Sequence, residues 1–328
     1  MIVPAQSLVE RFGGELAPLV GVPDQAGLAV SGGPDSLALL LLAAAAFPGR
    51  VEAATVDHGL RPEAAFEAAA VAALCARLGV RHETLAIVVP DGKSGLQGEA
   101  RAARYEALRG WCERRGLPLL LTAHHADDQA ETLLMRLRRG AGVGGLAGIR
   151  PARPLGHRVT LARPLLGWTK AELVALVREA GLAAADDPSN RDPRFDRTGV
   201  RALLAAHPDL EPRRLARTAA ALREADEALE WLADVLTAER AGAGDDEWRL
   251  DVSGLPRELK RRLLARGIAA LRARHGLDPP WTGGEDVETL LRTLEEGGTG
   301  TLAGILAAGG PVWCLRPAPP RRARSARR

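Results

Sequence analysis

The sequence predicts an α/β fold: a parallel β-sheet covered by helices on both faces, followed by a mainly helical domain. Three observations carry this. β-like apolar runs alternate with helical segments through the first half of the chain, the pattern of βαβ units. Polar clusters stand where three of those strands end. From about Asp187 the alternation gives way to a loop-like stretch and then to Ala/Leu/Glu/Arg-rich helical segments. A length of 328 residues with 46% apolar content supports about two domains.

Leu28–Ser31 reads as the first strand. Gly32 and Gly33 end it, and Pro34 opens a helix to about Ala46, a first-turn position that suits proline. That helix is apolar nearly all round, so burial is expected. Val51–Val56 is the next strand, stopped by Asp57-His58-Gly59. Glu63–Leu78 is helical up to Gly79. His82–Val89 is β-like and ends at Pro90-Asp91-Gly92. Leu96–Arg115 is helical, with Gly116 as its stop. Leu117–Ala123 reads as a strand and Asp127–Arg138 as a helix. Val159–Ala162 is a fifth strand. Thr169 with Glu172 forms a capping box ahead of a helix over Lys170–Ala180. Residues 186–201 read as loop, and helices follow over 211–240, Pro256–His275 and Val287–Leu294. The expected domains are 1–210, 211–315 and a basic tail, 316–328, expected to be disordered.

Composition excludes several classes. The longest apolar run, Leu37–Phe47, has eleven residues. A bilayer span needs about 20, so no membrane partner is expected. The start of the chain does not read as a secretory leader, and a reducing cytoplasm fits. The cysteines are Cys75, Cys112 and Cys314, with no C-x-x-C pair. A disulfide framework, a zinc ribbon and a cysteine-held iron–sulfur cluster are therefore not expected within this chain.

The cations are unevenly placed. Only Lys93, Lys170 and Lys260 are lysines among 44 cationic residues. From Thr132 to Ala171 there is no acid, but there are arginines at 136, 138, 139, 150, 153, 158 and 163, with Lys170. Such a stretch attracts a polyanion. The segment Arg316–Arg328 adds six arginines and no acid.

Two motifs carry chemistry. Ser31-Gly32-Gly33-Pro34-Asp35-Ser36 lies between a strand and a helix. Glycines let backbone N–H groups approach an anion, two hydroxyls add donors, and the helix points its positive end there. An ordinary tight turn explains Ser-Gly-Gly alone, but not the carboxylate of Asp35. The second motif is His124-His125-Ala126-Asp127-Asp128-Gln129-Ala130-Glu131 at a strand end. Acids at a helix start suit the dipole. Two histidines before three acids exceed that need, and oxygen ligands for Mg²⁺ or a His/carboxylate metal site are both readings of it. Ligands of parallel sheets bind at the carboxyl ends of strands, where these clusters meet Asp57-His58.

Ser31–Ser36 resembles the S-G-G-x-D-S pyrophosphate loop of the N-type ATP pyrophosphatases. Further stretches narrow this to the bacterial tRNA(Ile)-lysidine synthetases. They are Val56-Asp-His-Gly-Leu-Arg61, Glu99-Ala-Arg101-Ala-Ala-Arg104-Tyr105 and Leu121–Thr132. Leu133–Gly140, Gly145–Gly148, Arg163-Pro-Leu-Leu166 and Asp187–Asn190 followed by Arg197 and Arg201 complete the match, which runs in order over about residues 26–205. One departure is Arg197-Thr-Gly-Val-Arg201, where the family usually has Asn after the first arginine. The other is size: the chain looks like the short form.

The resemblance implies a PP-loop domain, similar to the adenine nucleotide α-hydrolases, and a ligase. ATP would adenylate O2 of the wobble cytidine of tRNA(Ile) with a CAU anticodon, releasing pyrophosphate. The ε-amine of L-lysine would then displace AMP at C2. It implies that Ser31, Gly32, Gly33, Pro34, Asp35 and Ser36 hold the ATP phosphates, and that Asp35 with Asp127 or Asp128 carries Mg²⁺. His124, Asp128 and Glu131 would sit near the base and lysine. Arg101 and Arg104, i and i+3 on one helix, would meet phosphate or base, with Arg104 counted among the catalytic residues. Arg139, Arg197 and Arg201 would contact RNA, while Asn190 orders its loop or touches substrate. RNA, not DNA, is the expected polyanion, and a homodimer stays open. A different PP-loop tRNA-modifying enzyme, such as a thiolase, is the alternative; the lack of C-x-x-C weighs against it. A non-enzymatic RNA binder would leave Asp35, Asp127, Asp128 and Glu131 unexplained.

Overall fold

The computed structural model describes residues 4–57, 63–87, 96–183, 196–244, 246–278, 281 and 287–319. It divides into two compact units, Met1–Arg223 and Glu224–Arg328. The expected position of Asn190 lies outside the described residues.

The first unit opens with α1 (Gln6–Val20), β1 (Ala26–Ala29), α2 (Pro34–Ala46) and β2 (Val51–Asp57). α3 (Glu63–Leu78), β3 (Arg81–Ala86), α4 (Leu96–Arg115), β4 (Leu119–Leu121) and α5 (Ala126–Arg138) continue the alternation. The short α6 (Val143–Leu146), a hairpin of β5 (Ala152–Pro154) and β6 (Thr160–Ala162), α7 (Lys170–Glu179) and α8 (Asp196–Ala206) follow. The strand order is β3-β2-β1-β4-β6-β5. All neighbours are parallel except β5, which pairs antiparallel with β6 (Ala152↔Ala162, Pro154↔Thr160).

α2 is buried from Ser36 to Ala43, as its all-round apolar composition requires. It packs in the larger core with Phe12 and Leu16 of α1, Leu28, Leu121 and Trp168. On the opposite sheet face, Tyr105, Leu108, Trp111 and Cys112 of α4 pack on Leu120 and Leu161. Gly27 is where that face comes closest, since a Cβ there would stand 2.6 Å from the Trp111 ring. The expected capping box forms at α7: Thr169 Oγ1 accepts from the Glu172 N–H (3.3 Å), and Glu172 Oε2 accepts from the Thr169 N–H (2.7 Å). The loop expected over 186–201 does not extend that far, because residues 196–201 form the start of α8.

α9 (Pro212–Arg240) contains the division between the units. The second unit adds β7 (Ala241–Ala243), β8 (Trp248–Asp251), α10 (Arg257–Arg274), α11 (Val287–Glu295), β9 (Thr299–Leu302), β10 (Ile305–Ala308) and β11 (Val312–Pro317). Its strands form an antiparallel sheet in the order β7-β8-β11-β10-β9. Helices contribute more residues than strands, but the sequence pattern does not announce this sheet, whose inner face builds the core. Trp248 and Trp313 pack there with Leu250, Leu263 and Ile268. α10 approaches so closely that a Cβ on Gly267 would lie 2.5 Å from the Trp248 ring. Arg316 and Pro317, expected in a disordered tail, are the last residues of β11, with Arg316 paired to Leu306. Among the described residues no helix is long and apolar enough to cross a membrane.

Candidate functional site

β1 is flanked by β2 and β4, and the chain direction of connections reverses between β1 and β4. A crevice at the carboxyl ends of such strands is the usual ligand position in α/β sheets. The loop after β1 is Ser31–Ser36, and the turn after β4 carries His124 to Glu131. The two motifs, about ninety residues apart in sequence, thus meet at the switch point of the sheet.

The loop is ordered by its own hydroxyls. The Ser31 N–H donates to Ser36 Oγ (3.1 Å), and Ser36 Oγ donates to the Gly33 carbonyl (2.9 Å). The two serine oxygens lie 3.2 Å apart. Gly32 has φ +86°, a conformation that disfavours a side chain. Pro34 occupies the first turn of α2, and Gly33 is its N-cap. The glycine turn thus leads directly into the N-terminal turn of α2, the arrangement from which phosphate cradles are built.

Asp35 reaches His125. His125 Nε2 stands 3.4 Å from Asp35 Oδ2 and 3.7 Å from Asp128 Oδ2, and Nδ1 is 3.5 Å from Asp127 Oδ2. These are charge contacts; Nδ1 has no aligned hydrogen bond. Burial disfavours a charged imidazole, but Asp127, Asp35 and Asp128 outweigh it and push the His125 pKa up to about 10. His125 is thus an imidazolium at neutral pH. Asp128 also caps α5, accepting from the His125 N–H at 3.1 Å. Asp127 Oδ2 accepts from the Lys170 N–H at 2.8 Å, which ties the acidic turn to the start of α7. Asp35 Oδ1 is buried without a hydrogen-bond partner.

His124 lives in the opposite environment. Burial pushes its pKa well down; Asp128 opposes this, and Arg163, Arg101 and Arg104 add to it. The ring is neutral, with Nδ1 3.1 Å from Thr122 Oγ1. Consecutive histidines therefore carry different charges. Sequence reasoning places His124 in the site and misses His125, although the His-His pair ahead of three acids is its signal.

Glu131 is 4% exposed and clamped from α8. Arg201 Nε donates to Oε1 at 2.6 Å, and Arg197 Nε stands 3.9 Å from Oε2. Arg197 and Arg201 are four apart, so one face of α8 delivers both. Arg101 and Arg104 of α4 lie over the Tyr105 ring, with guanidinium carbons 5.2 and 5.8 Å from its centroid. Arg139 is the C-cap of α5, about 12 Å along the helix from Glu131 at 1.5 Å per residue. The structure therefore gathers Asp35, His124, Asp127, Asp128, Glu131, Arg197 and Arg201, and leaves Arg139 at the far end of α5.

The acidic turn is held from behind. Gln129 donates to the Ile149 carbonyl (2.9 Å) and accepts from its N–H (2.6 Å). The Ala126 N–H donates to the Trp168 carbonyl (2.7 Å), and Trp168 Nε1 donates to Glu15 (2.7 Å). A cavity of about 470 Å³ opens along Ala126 and Gln129, with Leu19, Leu166 and Ala216 in its wall, and takes in none of the expected site residues. Burial pushes the Cys75 and Cys112 thiols up to about 12, so both are thiols rather than nucleophilic thiolates. Trp313 is a core residue of the second unit, 1% exposed.

Residues 9–207 match the family model of the PP-loop domain. A tRNA(Ile)-lysidine synthase of Zymomonas mobilis is 42% identical over 300 residues, covering 90% of this chain and 89% of the relative. That of Novosphingobium aromaticivorans is 49% identical over 280 residues, 85% of this chain and 84% of the relative. Among solved structures, the U34-tRNA thiolase NcsA of Methanococcus maripaludis superposes with a TM-score of 0.52 at 17% identity. It covers 66% of this chain and 79% of the thiolase, a likeness of fold alone. With the phosphate cradle and acidic turn at the sheet's switch point, the chain belongs to the PP-loop family and, within it, to the tRNA(Ile)-lysidine synthases.

Proposed function

We propose that this protein ligates L-lysine to C2 of the wobble cytidine of tRNA(Ile) bearing a CAU anticodon, with cleavage of ATP. The observation that supports it best is the meeting of Ser31–Ser36 with the His124–Glu131 turn at one sheet edge, in a chain 42–49% identical to synthases so named. Cytidine O2 attacks the α-phosphorus of ATP, and pyrophosphate leaves. The lysine ε-nitrogen then attacks C2, the C2–O2 bond breaks, and O2 departs with AMP. One proton is lost from the amine.

The residues divide this work. The Ser31–Ser36 loop and the start of α2 hold the departing pyrophosphate. Neutral His124, whose Nδ1–H can donate to Thr122 Oγ1, offers Nε2 as a hydrogen-bond acceptor near the base, and the Asp128 carboxylate beside it takes the amine's proton. Asp128 and Asp127 favour the approach of the ammonium form of lysine. Among the described residues no three His, Cys, Asp or Glu side chains form a ready metal cage. Mg²⁺ carried by nucleotide phosphates needs only one or two carboxylates, and Asp35, with its unpartnered Oδ1, fits that requirement best. Asp127 and Asp128 are already engaged by Lys170 and the α5 cap. When bound, Mg²⁺ neutralises charge on the phosphates. The second unit and the basic segment after it are proposed to contact tRNA outside the anticodon.

Purified protein, Mg-ATP, unmodified tRNA and labelled lysine make the test. Label that requires ATP, vanishes with RNase and survives the mild base that strips aminoacyl esters is the expected result. AMP release stimulated by tRNA without label would move the error to the nucleophile. Neither label nor AMP release would overturn the reading.

A further inference from the structure

The arginines facing His124 extend beyond the two expected on α4. Arg153 from β5 places its guanidinium carbon 5.4 Å from the Tyr105 centroid, beside Arg101 and Arg104. Arg153 is paired with Leu161 across the hairpin, and Arg163 follows two residues after Leu161. Alternation along β6 sends both arginines to the sheet face that carries Tyr105. Arg163 is 4% exposed, yet its Nε has no hydrogen-bond partner. Its Nη1 donates to the Arg150 carbonyl at 2.6 Å, which fixes the guanidinium plane. Among the described residues, no carboxylate is paired with Arg101, Arg104, Arg153 or Arg163.

Arg163 is buried, Arg104 and Arg153 are half-buried and Arg101 is exposed, so like charges crowd with only partial solvation and gain only partly from the ring. The fold nevertheless supports the cluster with a buried tyrosine and a dedicated hairpin. The missing component is an anion. Phosphate esters suit it, because planar guanidiniums bind phosphate oxygens through paired N–H groups. We propose that Arg153 and Arg163, on the platform of Tyr105 and with Arg101 and Arg104, form a phosphate-ester pocket on the His124 side of the site, opposite the Ser31–Ser36 cradle. This rests on the reading above for its two sources of phosphate ester: the RNA backbone beside the modified base, and the α-phosphate of ATP.

Equilibrium binding by the full chain tests the pocket without turnover. A labelled transcript of the tRNA and labelled ATP are the probes, for the parent, Arg153→Gln and Arg163→Lys. Arg153→Gln is expected to raise one Kd about tenfold, the size of a charged hydrogen bond. Loss on the RNA arm, with a salt slope lower by about 0.7–0.9, assigns the pocket to a backbone phosphate. Loss on the ATP arm assigns it to the nucleotide. Arg163→Lys keeps the charge and loses the fork, and is expected to weaken the same arm severalfold at an unchanged melting temperature. If both variants melt like the parent and bind both probes like the parent, the pocket is overturned. A parent that binds tRNA but never incorporates lysine would remove the proposed reaction and leave this test standing.

Discussion

The two sides of the rim around His124 hold charge in opposite ways. On the acidic side, Asp35, Asp127 and Asp128 close around one cation, the His125 imidazolium. On the arginine side, Arg101, Arg104 and Arg153 gather around one tyrosine ring and Arg163 sits buried with an unused Nε. The first cluster sets three carboxylates against one imidazolium, so it is compensated only in part within the fold and keeps a negative charge that suits a cation. The second is balanced only when an anion arrives. Glu131 stands apart from both, neutralised by Arg201 and Arg197. The acidic side carries a counter-ion of its own in His125, whereas among the described residues the arginine side carries none.

On the acidic side, Asp35 is the residue nearest the phosphate cradle. Asp35→Ala is expected to cost at least roughly 10³-fold in tRNA-dependent AMP release, as removal of a charge-stabilising group at a reacting phosphate does. Circular dichroism and melting temperature should stay those of the parent, because Asp127 and Asp128 still pair with His125. Normal AMP release by this variant refutes a role for Asp35 in the chemistry.

Glu131→Gln separates scaffold from chemistry. Glu131 is buried, but the Arg201 and Arg197 left behind are 35% and 42% exposed and can be solvated, so the cost is expected at about 1 kcal/mol. The urea midpoint should fall, and the double variant with Arg201→Ala should recover part of the loss. An unchanged midpoint with a large drop in turnover would instead put Glu131 on the substrate.

What is legible in the sequence divides along the same lines. The phosphate cradle and acidic turn are contiguous motifs at strand ends, so their chemistry and position are both written locally. The arginine side is assembled from α4, β5 and the residue after β6, and only folding brings them together. The start of α8 reads as loop because Gly199 and Thr198 are weak helix formers. Pairing of Arg197 and Arg201 with Glu131 adds what propensity lacks. α1 escapes for a similar reason, carrying Gly13, Gly14 and an internal Pro18. Ala241-Gly-Ala243 has no β-branched or aromatic residue, and Thr299-Gly-Thr-Leu302 is short and interrupted by a glycine. They are strands because β7 pairs with β8, β9 pairs with β10 and α11 packs on β9, which no local pattern reveals.

Glu172 supports the acidic side from a distance, since its capping box starts the helix whose Lys170 N–H holds Asp127. Burial raises its pKa, but the Thr169 N–H, Arg11 and Arg213 outweigh this and depress it to about 2, from an ordinary 4.5. The stabilisation is therefore fully present above pH 4.5 and is lost as pH falls toward 2. The group is partly solvated, so about 1 kcal/mol is expected after screening. Glu172→Gln should lower stability at pH 7 by that amount and flatten the acid limb between pH 4.5 and 2. An acid limb identical to that of the parent would assign the cap no titrating role.

The smallest expected effect tests whether arginines outside the fold act like those inside it. Arg316 and Pro317 belong to β11, so a truncation has to begin after Pro319 to spare the sheet. Removing 320–328 deletes arginines 321, 322, 324, 327 and 328. If these meet backbone phosphates without fixed geometry, the salt slope of tRNA binding should fall, by up to about 0.9 for each phosphate no longer neutralised. Affinity for any tRNA should drop severalfold alike, with turnover at saturation unchanged. Arg153 and Arg163, held by a ring and a carbonyl, are expected to show the reverse balance: fewer ions released, but a larger loss per residue. A truncated chain with the parental salt slope would confine the electrostatics of recognition to the folded units and leave the internal arginine wall as their main source.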